Sequence, residues 1–171
     1  MASLIDKTNT PEEIVDQVDQ DDQIIGPIKK VEVNSSPELF HREVAILIYD
    51  QKKRILFQQR SAKKTVHPLF WSISVAGHVP RGMTPYQSAH KELLEELGFD
   101  TELTFINKKL VHLPNETYFA YCYHGLYNGQ TIKTEPEEVE QVRFMSKKEF
   151  FDLLSQGEKS DDMSIEMVNN L

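Results

Sequence analysis

The pattern of apolar and polar positions alternates short β-type runs with two stretches of helical period. EIVDQV (residues 13–18) and QIIGPIKKVEV (23–33) flank a polar turn at 19–22 and predict a hairpin. The alternative for the same stretch is a short helix started at Thr10-Pro11-Glu12-Glu13 and carrying Ile14, Val15 and Val18. VAILIY (44–49) is continuously apolar, as expected of a central strand buried on both faces. Residues 50–53 turn the chain, 55–59 return as a strand, and 72–76 form another short one. Residues 103–113 and 117–125 read as strands joined by a turn at Pro114-Asn115. Asn128-Gly129 is a strong hairpin signal, and EPEEVEQVRFM is an acidic loop running into a strand.

Helical spacing takes over in residues 77–99, GHVPRGMTPYQSAHKELLEELGF. Thr84 is a good N-cap, Pro85 suits the first helical position, and Gln87 closes a capping box. Gly98 stands where a helix stops by passing through a left-handed residue. At about 100° per residue, Tyr86, Ala89, His90, Leu93 and Leu97 share one face, while Glu92, Glu95 and Glu96 share another with Ser88 one turn earlier. A second capping box, Ser146 to Glu149, opens a helix with Phe150, Phe151 and Leu154 that stops near Gly157. The closing SDDMSIEMVNNL has room for one short helix or frays. Residues 1–10 read as a disordered tail and 11–171 as one domain with its core at about 40–155. Strands around one long helix, with a second helix near the end, predict an α/β fold whose mixed sheet lies between helices.

Composition narrows the function. A net charge of −8 over 171 residues argues against a broad basic surface for a nucleic-acid polymer. A small phosphorylated partner stays compatible, because a metal ion can neutralise acid and phosphate together. The single Cys122 rules out an intramolecular disulfide and fits a reducing compartment; inside its strand it is expected to be an inert core thiol. MASLIDKTNT lacks the form of a signal peptide, and no apolar run approaches the ~18 residues of a membrane span. The expectation is a soluble cytoplasmic protein with no membrane partner; a homodimer is left open.

Three acids at i, i+3 and i+4 repel one another unless a positive group sits between them. Hard cations such as Mg²⁺ take oxygen ligands of this kind and bridge them to phosphate. On charge patterning alone the same run is a solvated helix face. The basic loop Arg60-Ser61-Ala62-Lys63-Lys64 likewise reads either as solvated surface or as counter-charge for a diphosphate. Trp71 is expected to pack in the core.

The whole 23-residue frame resembles the Nudix box, G-x5-E-x7-R-E-U-x-E-E-x-G-U with U apolar, in seven of nine specified positions: Gly77, Glu92, Leu93, Glu95, Glu96, Gly98 and Phe99. Met83 stands in place of the family's glutamate and Lys91 in place of its arginine. Lysine keeps the charge but lacks the planar fork that binds a carboxylate twice, so the two changes read as a pair given up together in an altered but working loop. The resemblance implies a Nudix-type α/β/α sandwich. It also implies Mg²⁺- or Mn²⁺-dependent hydrolysis of a phosphoanhydride in a nucleoside diphosphate derivative or a similar organic diphosphate. Glu92, Glu95, Glu96 and the Gly77 carbonyl would then hold metal, and Glu95 and Glu96 would serve catalysis. Glu137 and Glu138 lie in a loop from which a general base can come, with Glu138 the choice. Arg60, Lys63 and Lys64 would meet the substrate.

The flanks QQRSAKK, PLFW and SVAGHV resemble a branch of the same superfamily, type I isopentenyl-diphosphate isomerase. That enzyme moves a double bond with a cysteine just before a Gly-His pair and a metal held by histidines and glutamates. His78 and His41 match metal histidines and Glu116 matches the acid of the second half of the site. Ala76, however, occupies the cysteine position, Asn34 stands about where a further histidine would be, and Pro114 where a second glutamate would be. Without a thiol at Ala76 the isomerase chemistry is not expected. His41 and His78 also admit a plain reading as hydrogen-bonded loop or core residues. A third reading, motivated by Met83, is a degenerate Nudix domain that binds a nucleotide without turning it over.

Overall fold

The computed structural model describes residues 13–171, so the expected tail at 1–10 lies outside them. The first stretch is the predicted hairpin: β1 (Ile14–Val18) pairs antiparallel with β2 (Ile24–Lys29). Its continuation leaves the strand, because residues 30–33 close into a single helical turn, α1 (Lys30–Val33). The hairpin turn is pinned by Asp22, which is buried and accepts from Arg42 Nε at 2.6 Å, from Lys108 Nζ at 2.8 Å and from the Tyr121 hydroxyl.

The sheet is organised on β3 (Phe40–Tyr49), which pairs with four other strands. It meets β4 (Ile55–Arg60) across the turn at 50–53 and runs antiparallel to β6 (Val75–His78). It runs parallel to β8 (Thr117–Leu126) over its whole length. β7 (Leu103–His112) forms an antiparallel pair with β8, as the turn at Pro114-Asn115 predicts. The sheet is therefore mixed.

The two-residue period of β3 divides the core. Val44, Ile46 and Ile48 join Leu56, Val75, Val79 and Tyr123 under α2 (Pro85–Leu97), packing on its Ala89, Leu93 and Leu97. Ala45 and Leu47 point the other way, to Phe57, Ile73, Cys122 and Met145 beneath α3 (Lys147–Ser155) and α4 (Asp162–Asn169), which contribute Phe150, Met167 and Val168. This is the expected α/β/α sandwich. Trp71 and Cys122 are core residues, as read from sequence. The described residues include no helix long and apolar enough to cross a membrane.

Two local expectations fail for identifiable reasons. The strand expected over 72–76 is split into β5 (Trp71–Ser72), which pairs with β4, and β6, which pairs with β3. Between them, side chains take over the ladder. Ile73 N donates to Ser164 Oγ at 2.9 Å, and Ser74 Oγ accepts from Ile48 N at 2.8 Å while donating to Leu56 O at 2.6 Å. Asn128-Gly129 makes a local turn, with Gly129 at φ 85°, but no hairpin. The chain after it crosses to the end of α2, where Lys133 N donates to Leu97 O at 2.8 Å, and β9 (Val139–Met145) pairs with β4 instead of β8. A turn signal fixes the bend but not which strand edge is free to receive the next strand.

Candidate functional site

α2 begins and ends as its sequence dictates. Thr84 and Gln87 exchange the capping-box hydrogen bonds, and Gly98 takes the left-handed conformation at φ 73°. A Cβ at Gly98 would also stand 2.8 Å from Lys133 Cβ, so both conformation and space call for glycine. Of the residues assigned to the apolar face, Ala89, Leu93 and Leu97 are buried, while Tyr86 is largely exposed and His90 sits at the rim beside Asp100. The opposite face turns Glu92, Glu95 and Glu96 into a cavity of about 530 Å³.

That cavity gathers most of the acids and bases singled out in the sequence. Its wall includes Gly77, His78, Arg60, Lys64, Glu138 and the three α2 acids. Lys63, expected to meet the substrate, does not line it: its exposed ammonium pairs with Glu137 at 2.5 Å. Lys64 is buried and pairs with Glu138 at 2.5 Å. Lys30, Gln58, Asn34 and Glu43 also line the cavity and were not assigned to it from sequence. Lys30 belongs to a basic pair that patterns as surface, yet it is buried and pairs with Glu13 at 2.9 Å.

The acids are crowded. Glu92 packs against the backbone of Gly77, where a Cβ would stand 2.8 Å from Glu92 Oε2. A side chain at 77 would push the Glu92 carboxylate aside. Burial, reinforced by the Glu92 charge, pushes the Glu96 carboxyl up to about 8, although Gln58 Nε2 donates to it at 2.7 Å. Burial raises Glu92 as well, with Lys91 opposing. Lys91 Nζ lies 2.5 Å from Glu95 and 3.3 Å from Glu92, and Met83 packs against the apolar cluster beneath α2. The two departures from the Nudix box thus settle separately: Met83 packs, partly buried, against the core, and Lys91 becomes the counter-ion of the acids.

The sheet also brings together His41, Glu43, His78 and Glu116, each offering a donor atom within 4.8 Å of the others; Glu43 and His78 line the cavity, and His41 and Glu116 do not. Glu43 and His78 face each other across β3 and β6. Glu116 is set by the β7–β8 turn, where Leu113 N donates to Glu116 O at 2.8 Å and Asn115 Nδ2 donates to Asn34 O at 3.1 Å. The His41 and His78 rings stack with centroids 4.9 Å apart. Burial drives the His78 imidazole down to about 3. Burial and the Glu43 charge raise Glu116 to about 7. Burial works against the Glu43 charge too, but the two imidazoles outweigh it and keep the carboxyl low. Asn34 Oδ1 stands 2.7 Å from His78 Nε2, holding the ring from the place where a further histidine was sought.

The NUDIX domain signature matches residues 39–166. The chain belongs to the Nudix family. Within this family it is 33% identical over 132 residues to an isopentenyl-diphosphate Δ-isomerase of Serratia proteamaculans, covering 74% of this chain and 73% of that one. It is 30% identical over 124 residues to a protein of Listeria monocytogenes described as an uncharacterized Nudix hydrolase, covering 72% and 73%. In three dimensions this Nudix protein resembles one from Deinococcus radiodurans, with a TM-score of 0.79 at 18% identity over 92% of this chain and 98% of the other. The Nudix domain of Shewanella oneidensis NrtR, solved with ADP-ribose, superposes with a TM-score of 0.57 at 13% identity over 75% and 84%. These low-identity likenesses concern the fold.

The residues present fit divalent ions. The α2 acids offer oxygen donors alone, with Glu96 pushed up to about 8 by burial and the Glu92 charge, beside a glycine cradle. The sheet end offers two imidazoles and two carboxylates. There His41 is fully buried, and its Nδ1 has no hydrogen-bond partner among the described residues.

Proposed function

We propose that this Nudix protein is a hydrolase that cleaves a phosphoanhydride bond in a nucleoside diphosphate derivative or a similar organic diphosphate. The observation that carries the reading is one cavity lined by the three α2 acids together with Arg60, Lys64 and Lys30. Glu92, Glu95, Glu96 and the Gly77 carbonyl would hold Mg²⁺ or Mn²⁺, and His41, His78 and Glu116 a further divalent ion. A bound divalent ion supplies charge neutralisation for the phosphate oxygens and lowers the pKa of water.

The chain's own groups do the rest. Arg60, Lys64 and Lys30 present positive charge to the diphosphate from the cavity lining, where water screens them less than at the surface. Glu138 is the candidate proton acceptor. It is paired with Lys64, so a phosphate that draws Lys64 toward itself leaves the Glu138 carboxylate able to take a proton from water. Gln58 orients Glu96 through its 2.7 Å hydrogen bond. The recognition of a small phosphorylated molecule is in keeping with the ADP-ribose held by the NrtR Nudix domain.

Hydrolysis is preferred to isomerisation because the cavity wall has Ala76 and no thiol. Cys122 lies in the other core cluster, and burial pushes its thiol up to about 11. The test is phosphate release from a panel of nucleoside diphosphate derivatives with Mg²⁺ or Mn²⁺, run beside deuterium incorporation into isopentenyl diphosphate. Release that stops with chelator supports the proposal. Rapid deuterium incorporation transfers it to the isomerase reading, and tight nucleotide binding without turnover transfers it to a binding module.

A further inference from the structure

We propose that Glu43 is a metal ligand that completes, with His41, His78 and Glu116, a four-donor site for a transition-metal ion of the Zn²⁺ type, distinct from the oxygen-only site on α2. The inference rests on the reading of the histidine–glutamate cluster as metal-binding and adds to it a ligand and a metal class.

Three observations carry it. Glu43 follows His41 by two residues on β3, so both side chains leave the same face of the sheet, and its direct partner across β6 is His78. Glu43 Oε1 stands 3.4 Å from His41 Nε2 and 3.3 Å from His78 Nε2. Donors about 2.1 Å from a tetrahedral ion are separated by about 3.4 Å, so these spacings need little adjustment. Finally, the β7–β8 turn brings a Glu116 carboxylate oxygen within 4.8 Å of the donor atoms of His41, Glu43 and His78.

The donor set also balances. The isomerase resemblance would have supplied a histidine where Asn34 stands and a glutamate where Pro114 stands, and neither Asn34 nor Pro114 adds a charge. Glu43 restores a second carboxylate from a neighbouring place in the sheet. Two carboxylates cancel a divalent charge, which matters where His41 is fully buried and Glu43 is 9% exposed. Two imidazole nitrogens favour Zn²⁺ or Co²⁺ over Mg²⁺, which prefers oxygen and water. One cavity thus meets a nitrogen-containing donor set through Glu43 and His78 and an all-oxygen set through Glu92, Glu95 and Glu96.

The experiment titrates chelator-treated full-length protein with Zn²⁺, Co²⁺ or Mg²⁺ alone, reading stoichiometry by calorimetry and coordination from the Co²⁺ visible spectrum. Wild type should take up Zn²⁺ or Co²⁺ at the cluster, with the intense bands of a four-coordinate ion, and His41→Ala should abolish that uptake. Glu43→Gln should weaken Zn²⁺ by about 100-fold or more, beyond the range typical of supporting residues, and bleach the Co²⁺ bands. Mg²⁺ uptake should not change. A Glu43→Gln protein with wild-type Zn²⁺ affinity and Co²⁺ spectrum overturns Glu43 as ligand while leaving the cluster reading intact. A wild type without a Zn²⁺ or Co²⁺ site, or with one indifferent to His41→Ala, overturns the cluster reading itself. Should Glu43→Gln fail to fold, as judged by its melt, Glu43→Asp keeps the charge with shorter reach; an unaltered Co²⁺ spectrum there overturns the proposal.

Discussion

Glu92, Glu95 and Glu96 come from one helix, within five consecutive residues, whereas His41, Glu43, His78 and Glu116 are delivered by β3, β6 and the turn between β7 and β8. The acids keep their mutual geometry wherever α2 goes, because 3.6 residues per turn fixes it. The cluster exists only while β3 holds its register with both neighbours. A slip of one residue would turn His41 and Glu43 to the other face and scatter the set. The first arrangement is tolerant of its surroundings and crowded; the second is dependent on them and mixes imidazole with carboxylate.

The largest effect that tests this contrast is expected from Glu96→Gln. It removes charge while keeping shape and the neighbouring Gln58, so phosphate release should fall by about 100-fold or more, the scale on which removal of one charge-stabilising group acts. The thermal melt should be unchanged or improved, since a buried acid held up at about 8 is relieved of its repulsion. Full activity in this variant would mean that the two ends have exchanged roles.

Gly77→Ala should follow in size. The added Cβ meets the Glu92 carboxylate at 2.8 Å, and the flexible end of that side chain gives way before the backbone does. Metal affinity at the α2 end should drop by about 10-fold, the lower range for a displaced supporting contact. Zn²⁺ uptake at the cluster should be untouched, as read by calorimetry.

Restoring the box sharpens the comparison from the other direction. Met83→Glu with Lys91→Arg should raise turnover by about 10-fold if the fork of arginine can draw the new carboxylate out of the apolar cluster and leave the α2 acids to metal. Met83→Glu alone should cost about 1 kcal/mol in a denaturant titration, since Met83 packs against that cluster. A double variant no faster than wild type would leave Lys91 without a restraining role on the acids.

The smallest expected effect concerns pH. Glu96 is raised to about 8 and Glu116 to about 7, above the ~4.3 of an unfolded glutamate. A carboxyl raised in the folded state contributes stability fully below its unfolded pKa and loses it as pH climbs through the folded value. Metal-free protein should therefore melt progressively lower between about pH 4.3 and 8. Adding Mg²⁺ should flatten the upper part of that decline, and adding Zn²⁺ the middle. Melts indifferent to pH across this window would remove the electrostatic basis for both sites.

How much of this was legible depended on distance along the chain. The α2 acids, their capping box and Gly98 lie within one short frame, so spacing sufficed. His41, His78 and Glu116 were reached only through their likeness to another enzyme's flanks. Glu43 was overlooked because the strand was read from Val44 onward, as a purely apolar run. Its signal was present nonetheless: on a strand, the residue two places from a candidate ligand shares that ligand's face. Lys30 was hidden differently, by a basic pair whose burial depends on where the hairpin folds back. The hairpin expected at Asn128-Gly129 failed because β8 is already flanked by β3 and β7, which no local pattern records.

The parallel pairing of β3 with β8 bears on how the molecule is made as well as on what it holds. His41 lies opposite Tyr118, about 75 residues later in the chain, so that contact forms only after a long loop has closed. Parallel partners of such separation are slow to meet, and topology of this kind sets the pace of folding more than stability does. The acid helix, by contrast, can form as soon as its own residues are available. On refolding from denaturant, the visible spectrum of Co²⁺ at the sheet end should therefore develop with the slowest phase, after helical circular dichroism has recovered. A bound metal would serve as a clock for the last strand to arrive.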